Sequence, residues 1–123
     1  MTHRILLVED QEDLREIARL ALQGAGYEVF EAATGAEGIA TAQTEHPDLV
    51  LMDIQLPVLD GYESTRRIKA LPGMARTAVI AVSSFAMRGD EDKARAAGCD
   101  GYVTKPYSPK QLVALVRQFL TQA

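Results

Sequence analysis

The amino-acid sequence predicts an α/β fold, with a doubly wound parallel sheet of five strands and five helices. Short apolar, β-branched runs alternate along the chain with segments whose apolar residues recur at helical spacing. This alternation favours βα units, in which helices cover both faces of a parallel sheet. The predicted strands are Ile5–Val8, Tyr27–Phe30, Leu49–Met52, Ala78–Val82 and Tyr102–Thr104.

Each predicted element has its own signal in the sequence. The first and third strands are unbroken apolar runs, as expected of strands that are covered on both faces. Glycines mark the ends of helices, with Gly24 and Gly26 after the first, Gly73 after the third and Gly98 after the fourth. The first helix has one apolar face, formed by Leu14, Ile17, Ala18 and Ala21. The last helix has another, formed by Leu112, Leu115, Val116 and Phe119.

Length, composition and charge exclude several classes of protein. A chain of 123 residues predicts a single domain over residues 1–123, and 47% hydrophobic with 24% charged residues is typical of a soluble globular protein. The net charge of −4 argues against nucleic acid or an anionic membrane as the main partner. Cys99, the single cysteine, cannot form an internal disulfide, which fits a reducing compartment. The apolar run before Glu9 is too short for a signal peptide, so we expect a cytoplasmic protein without a membrane span.

Polar residues follow four of the five predicted strands. In an open α/β sheet, functional groups collect beyond the carboxyl ends of the strands, at the point where the strand order switches. If the first, third, fourth and fifth strands are neighbours, three carboxylates, a hydroxyl and an ammonium converge there. The residues at these strand ends are Glu9, Asp10, Asp53, Ser83, Ser84 and Lys105.

Each of these residues also has a purely structural explanation. Asp10 could cap the first helix, and Asp53 could form an Asx-type turn before Pro57. Ser83 could be an ordinary hydrogen-bonded strand-end hydroxyl, and Lys105 could be solvated. Taken singly, these explanations are the better ones, but compatible chemistry at four of five strand ends favours a functional site.

The residue types indicate metal-assisted phosphoryl chemistry. Clustered carboxylates repel one another unless a cation lies among them, and an all-oxygen set suits Mg²⁺. A carboxylate can then act as a nucleophile toward phosphorus and form an aspartyl-phosphate. Asp53 lies between the other groups in strand order and is the natural nucleophile. The incoming phosphoryl group needs charge compensation, which Mg²⁺ and Lys105 could give, and a hydroxyl donor, which Ser83 could give.

The sequence resembles the receiver domain of two-component response regulators over essentially its whole length. The matching stretches are ILLVED at 5–10, DLVLMDIQLPVLDGYE at 48–63 and VIAVSSFAMRGDEDKARAAGCDGYVTKP at 79–106, together with the closing amphipathic helix. The resemblance is closest to the stand-alone, single-domain regulators of bacteria, which the initial methionine and the compact end also favour. It implies a flavodoxin-like (βα)5 fold with the strand order 2-1-3-4-5.

The resemblance implies a role for each acidic residue. Asp53 would be the phosphoacceptor, taking a phosphoryl group from a phosphohistidine on a sensor kinase or a phosphotransfer protein. Asp10 would bind Mg²⁺ directly and Glu9 through water. Asp53 and the backbone carbonyl of Gln55 would be the remaining protein ligands of the ion.

The resemblance also implies how phosphorylation would be sensed. Ser83 would hold the phosphoryl oxygen and Lys105 would pair with it, while Tyr102 would turn inward as an aromatic switch. The peptide bond before Pro106 would be cis. The side chains of Phe85 and Gln55 would flank the path of hydrolytic water, and because an apolar ring cannot orient water we expect slow self-dephosphorylation.

Phosphorylation would then change the surface formed by the fourth helix, the fifth strand and the fifth helix. The expected product is a switch that controls a downstream protein, acting as a monomer or as a phosphorylation-dependent dimer. The expected surface residues are Arg88, Asp90, Lys93, Ala97, Tyr102, Val103, Tyr107 and Pro109.

Three other kinds of protein share part of this sequence pattern. A phosphatase of the haloacid dehalogenase type also uses a strand-end aspartate, but it is expected to carry a second aspartate where this chain has Gln55. A flavin carrier needs a phosphate-binding loop after the first strand, where this chain has the acidic run EDQED. A pseudo-receiver that acts only as a docking module would not need the full set of site residues.

Overall fold

In a computed structural model, which describes residues 2–84 and 89–121, five strands alternate with five helices. The strands are β1 (Arg4–Val8), β2 (Glu28–Ala32), β3 (Leu49–Asp53), β4 (Ala78–Ser83) and β5 (Gly101–Thr104). The helices are α1 (Glu12–Gly24), α2 (Gly35–Glu45), α3 (Gly61–Lys69), α4 (Asp90–Ala97) and α5 (Pro109–Thr121). The predicted alternation of strands and helices is therefore confirmed.

The strands form one parallel sheet in the order β2-β1-β3-β4-β5, as predicted. The chain enters the sheet at β1, moves outward to β2 and then returns past β1 to β3, so the strand order switches between β1 and β3. In the register of the sheet, Met52 lies between Val8 and Ala81, and Asp53 lies opposite Val82. The carboxyl ends of β1, β3 and β4 therefore lie side by side at the switch point.

Side chains from the two faces of the sheet build two separate hydrophobic cores. Leu6, Val8, Val50 and Met52 point to the face covered by α2, α3 and α4. On the opposite face, α1 and α5 pack against each other and cover Ile5, Leu7, Leu49 and Leu51. All five residues of β3 are buried. This explains the unbroken apolar sequence of β3, since neither face of the strand meets water.

Six strand boundaries differ from the prediction by one or two residues, and two of them have a clear local cause. β2 begins one residue later than Tyr27, because the amide of Tyr27 donates to the carbonyl of Leu22 and so closes the turn after α1. β5 begins at Gly101, where a side chain would meet the ring of Phe119 at 2.6 Å. Glycine at this position allows α5 to approach the strand closely. Within residues 2–84 and 89–121, none of the helices has the length and apolar character needed to cross a membrane.

Candidate functional site

Three carboxylates meet at the switch point. Glu9 and Asp10 directly follow β1 and Asp53 is the last residue of β3, so the sheet register brings them together. One carboxylate oxygen from each lies within 4.8 Å of the others. Glu9 and Asp53 are only 4% and 3% exposed, whereas Asp10 is exposed to solvent. Two of the three carboxylates have thus lost most of their hydration and need compensation from the protein or from a cation.

Lys105 supplies part of that compensation. Its ammonium lies 2.7 Å from Oε1 of Glu9 and 3.3 Å from Oδ2 of Asp53. The Lys105 amide donates to the carbonyl of Ser83 at 2.7 Å, which anchors the end of β5 to β4. The following Lys105–Pro106 peptide bond is cis.

The electrostatics of the site follow from this burial. Burial raises the pKa of Glu9 from 4.5 to about 7, and the Asp53 carboxylate adds to the increase, although Lys105 and the Gln11 amide oppose it. Burial alone would lower the pKa of Lys105. The hydrogen bond with Glu9 and the charge of Asp53 outweigh that effect, so the pKa of Lys105 lies above its usual value. The protein is therefore arranged to keep a cation beside these carboxylates.

Backbone donors and one arginine fix the positions of the carboxylates. The amide of Gln55 donates to Oδ1 of Asp53 at 3.0 Å, and the amide of Gln11 donates to Oε2 of Glu9 at 3.1 Å. From α1, the guanidinium of Arg15 donates to the backbone carbonyl of Glu9 at 2.9 Å. Residue 11 is the N-cap of α1, so Asp10 does not occupy the capping position that its structural explanation required.

The hydroxyl of Ser83 lies at the end of β4 and is fully buried. The side chain of Gln55 reaches across from the loop after β3, and its Nε2 donates to Oγ of Ser83 at 3.0 Å. The Oε1 atom of the same carboxamide accepts from the amide of Ser84 at 2.8 Å. The sequence prediction gave Gln55 a backbone carbonyl ligand and a side chain beside the path of hydrolytic water, but it missed this side-chain bridge, which depends on the path of a loop.

The loop after β3 is held close to the strand by α3. Asp60 caps this helix by accepting from the amide of Glu63 at 2.9 Å, and the amide of Gly61 donates to the carbonyl of Ile54 at 3.1 Å. A Cβ atom on Gly61 would overlap the carbonyl oxygen of Asp53 and lie 2.6 Å from the Cα of Ile54. The first residue of α3 therefore has to be glycine for the backbone of Asp53 to keep this position.

The donor set fits a magnesium ion. All three acidic side chains offer oxygen ligands, and two of them are nearly fully buried while one faces solvent. Mg²⁺ takes one or two carboxylates directly and keeps several waters, so a partly open all-oxygen site suits it better than it suits a softer metal. Histidine and cysteine, which would favour zinc, are absent from this acidic cluster.

Only some residues of the predicted output surface are exposed to solvent. Tyr102 is half-buried against the core on the α2–α4 side, whereas Val103 and Tyr107 pack against the core on the α1–α5 side. Ala97 was expected to be part of this surface, and that expectation is wrong. It is 4% exposed, because it lies on the inner face of α4 next to Ala94.

Two predictions fall on residues outside the described ranges. Phe85 and Arg88 belong to residues 85–88, so the slow self-dephosphorylation inferred from Phe85 and the surface position of Arg88 stay predictions.

An apolar groove opens beside Lys105, between α1 and the loop after β5. Its volume is about 640 Å³. Ile17, on its α1 side, is 50% exposed, whereas Ala18 and Leu22 of the same helix are buried against the sheet. The groove is lined by Leu14, Ile17, Ser84, Lys105, Pro106, Tyr107 and Pro109.

Comparison with known proteins agrees with the fold. The sequence model of the family described as "Response regulator receiver domain" matches residues 5–117. The polar-differentiation response regulator DivK of Brucella ovis is 38% identical over 123 residues, covering 100% of both chains. The CheY-like receiver domain protein of Methanospirillum hungatei JF-1 superposes with a TM-score of 0.91 at 32% identity, covering 98% of this chain and 94% of that one.

A further solved structure has a metal at its active site. The receiver domain of the sensor histidine kinase PA1611 from Pseudomonas aeruginosa PAO1 was crystallised with a magnesium ion coordinated in the active site cleft. It is 33% identical, with a TM-score of 0.89, and the match covers 98% of this chain and 98% of that one.

Proposed function

The chain belongs to the response regulator receiver domain family, and from this premise we propose that it is a signalling switch that accepts a phosphoryl group on Asp53. The observation that carries the proposal is the position of the Asp53 carboxylate. It is buried at the switch point, 3.3 Å from the ammonium of Lys105 and within 4.8 Å of two further carboxylates. A carboxylate held in this way is a nucleophile beside the charges needed to receive an anion.

The proposed reaction transfers the phosphoryl group from a phosphohistidine on a sensor kinase or a phosphotransfer protein. An oxygen of Asp53 attacks phosphorus, the bond between phosphorus and the imidazole nitrogen breaks, and the imidazole leaves with the bonding electron pair. The Gln55 amide already donates to Oδ1 of Asp53, which fixes the orientation of the carboxylate. Lys105 lies on the side of Oδ2 and can balance negative charge that arrives there.

Glu9, Asp10, Asp53 and the backbone carbonyl of Gln55 are the residues that would hold Mg²⁺ in this site. When bound, the ion would supply positive charge that reduces repulsion between the carboxylates and the incoming phosphoryl oxygens. The raised pKa of Glu9 supports a cation requirement, because burial disfavours the ionised form of this carboxyl and a metal ion would favour it.

The proposed change in the partner-binding surface begins with a local change in charge and hydrogen bonding at Asp53. Phosphorylation adds a charge of about −1.5 to −2 and three acceptor oxygens at Asp53. Ser83 and Lys105 engage the new oxygens, the chain after β4 shifts, and the half-buried Tyr102 follows. The α4–β5–α5 surface that controls a downstream protein then consists of the accessible members of the predicted set, such as Asp90, Lys93 and Pro109.

The phosphodonor is expected to dock in the groove beside Lys105. This groove combines exposed apolar surface on α1 with direct proximity to the buried carboxylates, so a partner helix lying there could bring an imidazole to Asp53. We propose a cytoplasmic location for the switch, as the sequence predicts, together with the histidine-bearing partner.

The protein is proposed to be a switch and not a turnover enzyme. A phosphatase would need an acid or base two residues after Asp53. Gln55 there carries a carboxamide, which is engaged with Ser83 and Ser84. A docking module without phosphoacceptor chemistry would not need an ammonium beside three clustered carboxylates, two of which are buried.

The test is phosphorylation by a small-molecule donor such as acetyl phosphate in the presence of Mg²⁺. We expect wild-type protein to give a shifted band on a phosphate-affinity gel and Asp53→Asn to give none. Asp48→Asn is the matched control, because Asp48 is an exposed carboxylate just before the other end of β3. Labelling that persists in Asp53→Asn, or steady release of phosphate in place of a stable adduct, would contradict the proposal.

A further inference from the structure

The side chain of Gln55 joins two strand ends that the proposed reaction must bring together. Its backbone amide donates to the Asp53 carboxylate, while its carboxamide bonds the hydroxyl of Ser83 and the amide of Ser84. One residue therefore contacts the proposed phosphoacceptor and the two groups beside it on β4. Gln55 is half-buried and both ends of its carboxamide are bonded, so this orientation is well defined.

The groups held by Gln55 are those that a phosphoryl group on Asp53 would need. Three new acceptor oxygens require donors close to Asp53. Lys105 is one donor, and the hydroxyl of Ser83 and the backbone N–H of Ser84 are the neighbouring donors at the end of β4. The Ser84 amide has a single hydrogen, and it points to Oε1 of Gln55 at 2.8 Å. Two acceptors cannot share that hydrogen at full strength, so the carboxamide and the phosphoryl group compete for it.

Ser83 is restrained by the same side chain. Its oxygen accepts from Nε2 of Gln55 at 3.0 Å, and it is fully buried. Movement of the Ser83 hydroxyl toward Asp53 stretches this hydrogen bond.

We propose that the Gln55 side chain is an internal competitor of the phosphoryl group, holding the end of β4 in the unphosphorylated conformation until phosphorylated Asp53 displaces it. The inference rests on the proposed function of Asp53 and adds a regulatory role for a residue whose side chain that function does not use. Gln55 acts here as a positioning residue, through Ser83 and Ser84. Without its carboxamide, the Ser84 amide loses its acceptor and can donate to an anion, and the unphosphorylated fold loses two hydrogen bonds.

This competition predicts opposite effects on anion affinity and stability. Gln55→Met keeps the length of the side chain and removes both hydrogen bonds. We expect it to bind beryllofluoride, a noncovalent tetrahedral analogue of the phosphoryl group, about tenfold more tightly than wild type, because the anion no longer has to displace the carboxamide from the Ser84 amide. The same variant should unfold at a lower urea concentration. A merely structural role for Gln55 would lower stability without improving anion affinity.

The experiment is calorimetric titration with beryllofluoride at saturating Mg²⁺, with urea unfolding of each variant. Gln43→Met is the matched control, because Gln43 is exposed on α2, and it should bind as wild type does. Asp53→Asn should not bind. If Gln55→Met does not fold, Gln55→Asn takes its place, since its shorter carboxamide cannot bridge to both serines.

The outcomes separate the inference from the function on which it rests. Equal or weaker affinity in the Gln55 variant, with wild type binding and Asp53→Asn not binding, overturns the competitor role and leaves the phosphoacceptor intact. If wild type fails to bind, both the competitor role of Gln55 and the phosphoacceptor role of Asp53 are contradicted.

Discussion

Glu9 is a carboxyl whose surroundings suit a proton or a cation better than a free negative charge. It is nearly fully buried after β1, in contact with Lys105 and close to Asp53. Its pKa of about 7 lies above the ordinary value of 4.5, chiefly because burial removes the solvation of the ionised form. The residue therefore links the stability of the fold to pH and to metal.

The sign of this linkage is fixed by the direction of the pKa shift. A group whose pKa is higher in the folded state binds more protons there, so its contribution to stability is lost as pH rises through the folded pKa. We expect metal-free protein to lose free energy of unfolding between pH values of about 5 and about 8. In urea unfolding with a chelator present, the free energy of unfolding of Glu9→Gln should depend less on pH than that of wild type.

Glu16→Gln is the control for that experiment, since Glu16 is an exposed carboxyl on α1. It should keep the wild-type slope. Mg²⁺ should stabilise wild type more at the higher pH, because protons compete with the ion for Glu9. Identical pH profiles for wild type and Glu9→Gln would contradict the assignment.

At the scale of elements, α1 contributes to the site through Arg15. The guanidinium donates to the backbone carbonyl of Glu9 and lies 3.6 Å from Glu31. We expect Arg15→Ala to weaken Mg²⁺ binding about tenfold, because the turn that carries Glu9 and Asp10 loses its support. Calorimetric titration with Mg²⁺ measures the effect.

Arg19 provides the matched control on the same helix. It also pairs with Glu31, at 3.4 Å, but it donates to the side chain of Gln23 where Arg15 donates to the Glu9 carbonyl. Arg19→Ala should therefore leave Mg²⁺ affinity close to that of wild type. Equal losses in both variants would mean that the pairing with Glu31, and not the contact with the Glu9 carbonyl, supports the site.

The start of α3 is the tightest backbone contact near Asp53. We expect Gly61→Ala to destabilise the protein by about 1–3 kcal/mol, because the new methyl group overlaps the backbone of Asp53 and Ile54. Mg²⁺ affinity should fall as well, since Asp53 must shift. Gly24→Ala is the control, because space around Gly24 at the end of α1 is open and alanine favours the helix. Urea unfolding in which both variants match wild type would contradict this account.

Part of the fold and of the site near these elements could be predicted from the sequence. The unbroken run before Asp53 identified a strand buried on both faces, and the parallel sheet then placed Glu9, Asp10 and Asp53 at one edge. The bridge from Gln55 to Ser83 and Ser84 could not be predicted, because it depends on the path of the loop between β3 and α3.

The misplacement of Ala97 has a different physical cause. Alanine is compatible with both the inside and the outside of a helix, so composition alone does not orient it. The face that α4 turns to the core is decided by packing against the neighbouring elements.

At the scale of the whole molecule, stability is expected to decrease from the centre of the sheet to its edge. Every residue of β3 is buried and the strand pairs on both sides, whereas β5 is half-buried throughout and pairs only with β4. We expect the amides of β3 to exchange with solvent roughly tenfold more slowly than those of β5, a difference of about 1.4 kcal/mol in opening free energy. Hydrogen exchange followed by NMR measures this. Equal protection would indicate that the sheet opens only as one unit.

The ion pair between Glu9 and Lys105 has a consequence for how the protein is made. Its two partners are 96 residues apart in the chain, although their charged atoms lie 2.7 Å apart. On the ribosome, all three carboxylates emerge well before the ammonium does. A nascent chain that has reached α4 thus holds an acidic cluster without its cation and with β4 still an open edge. Competence to receive a signal is therefore gained late in synthesis, when β5 docks on β4 and carries Lys105 into place.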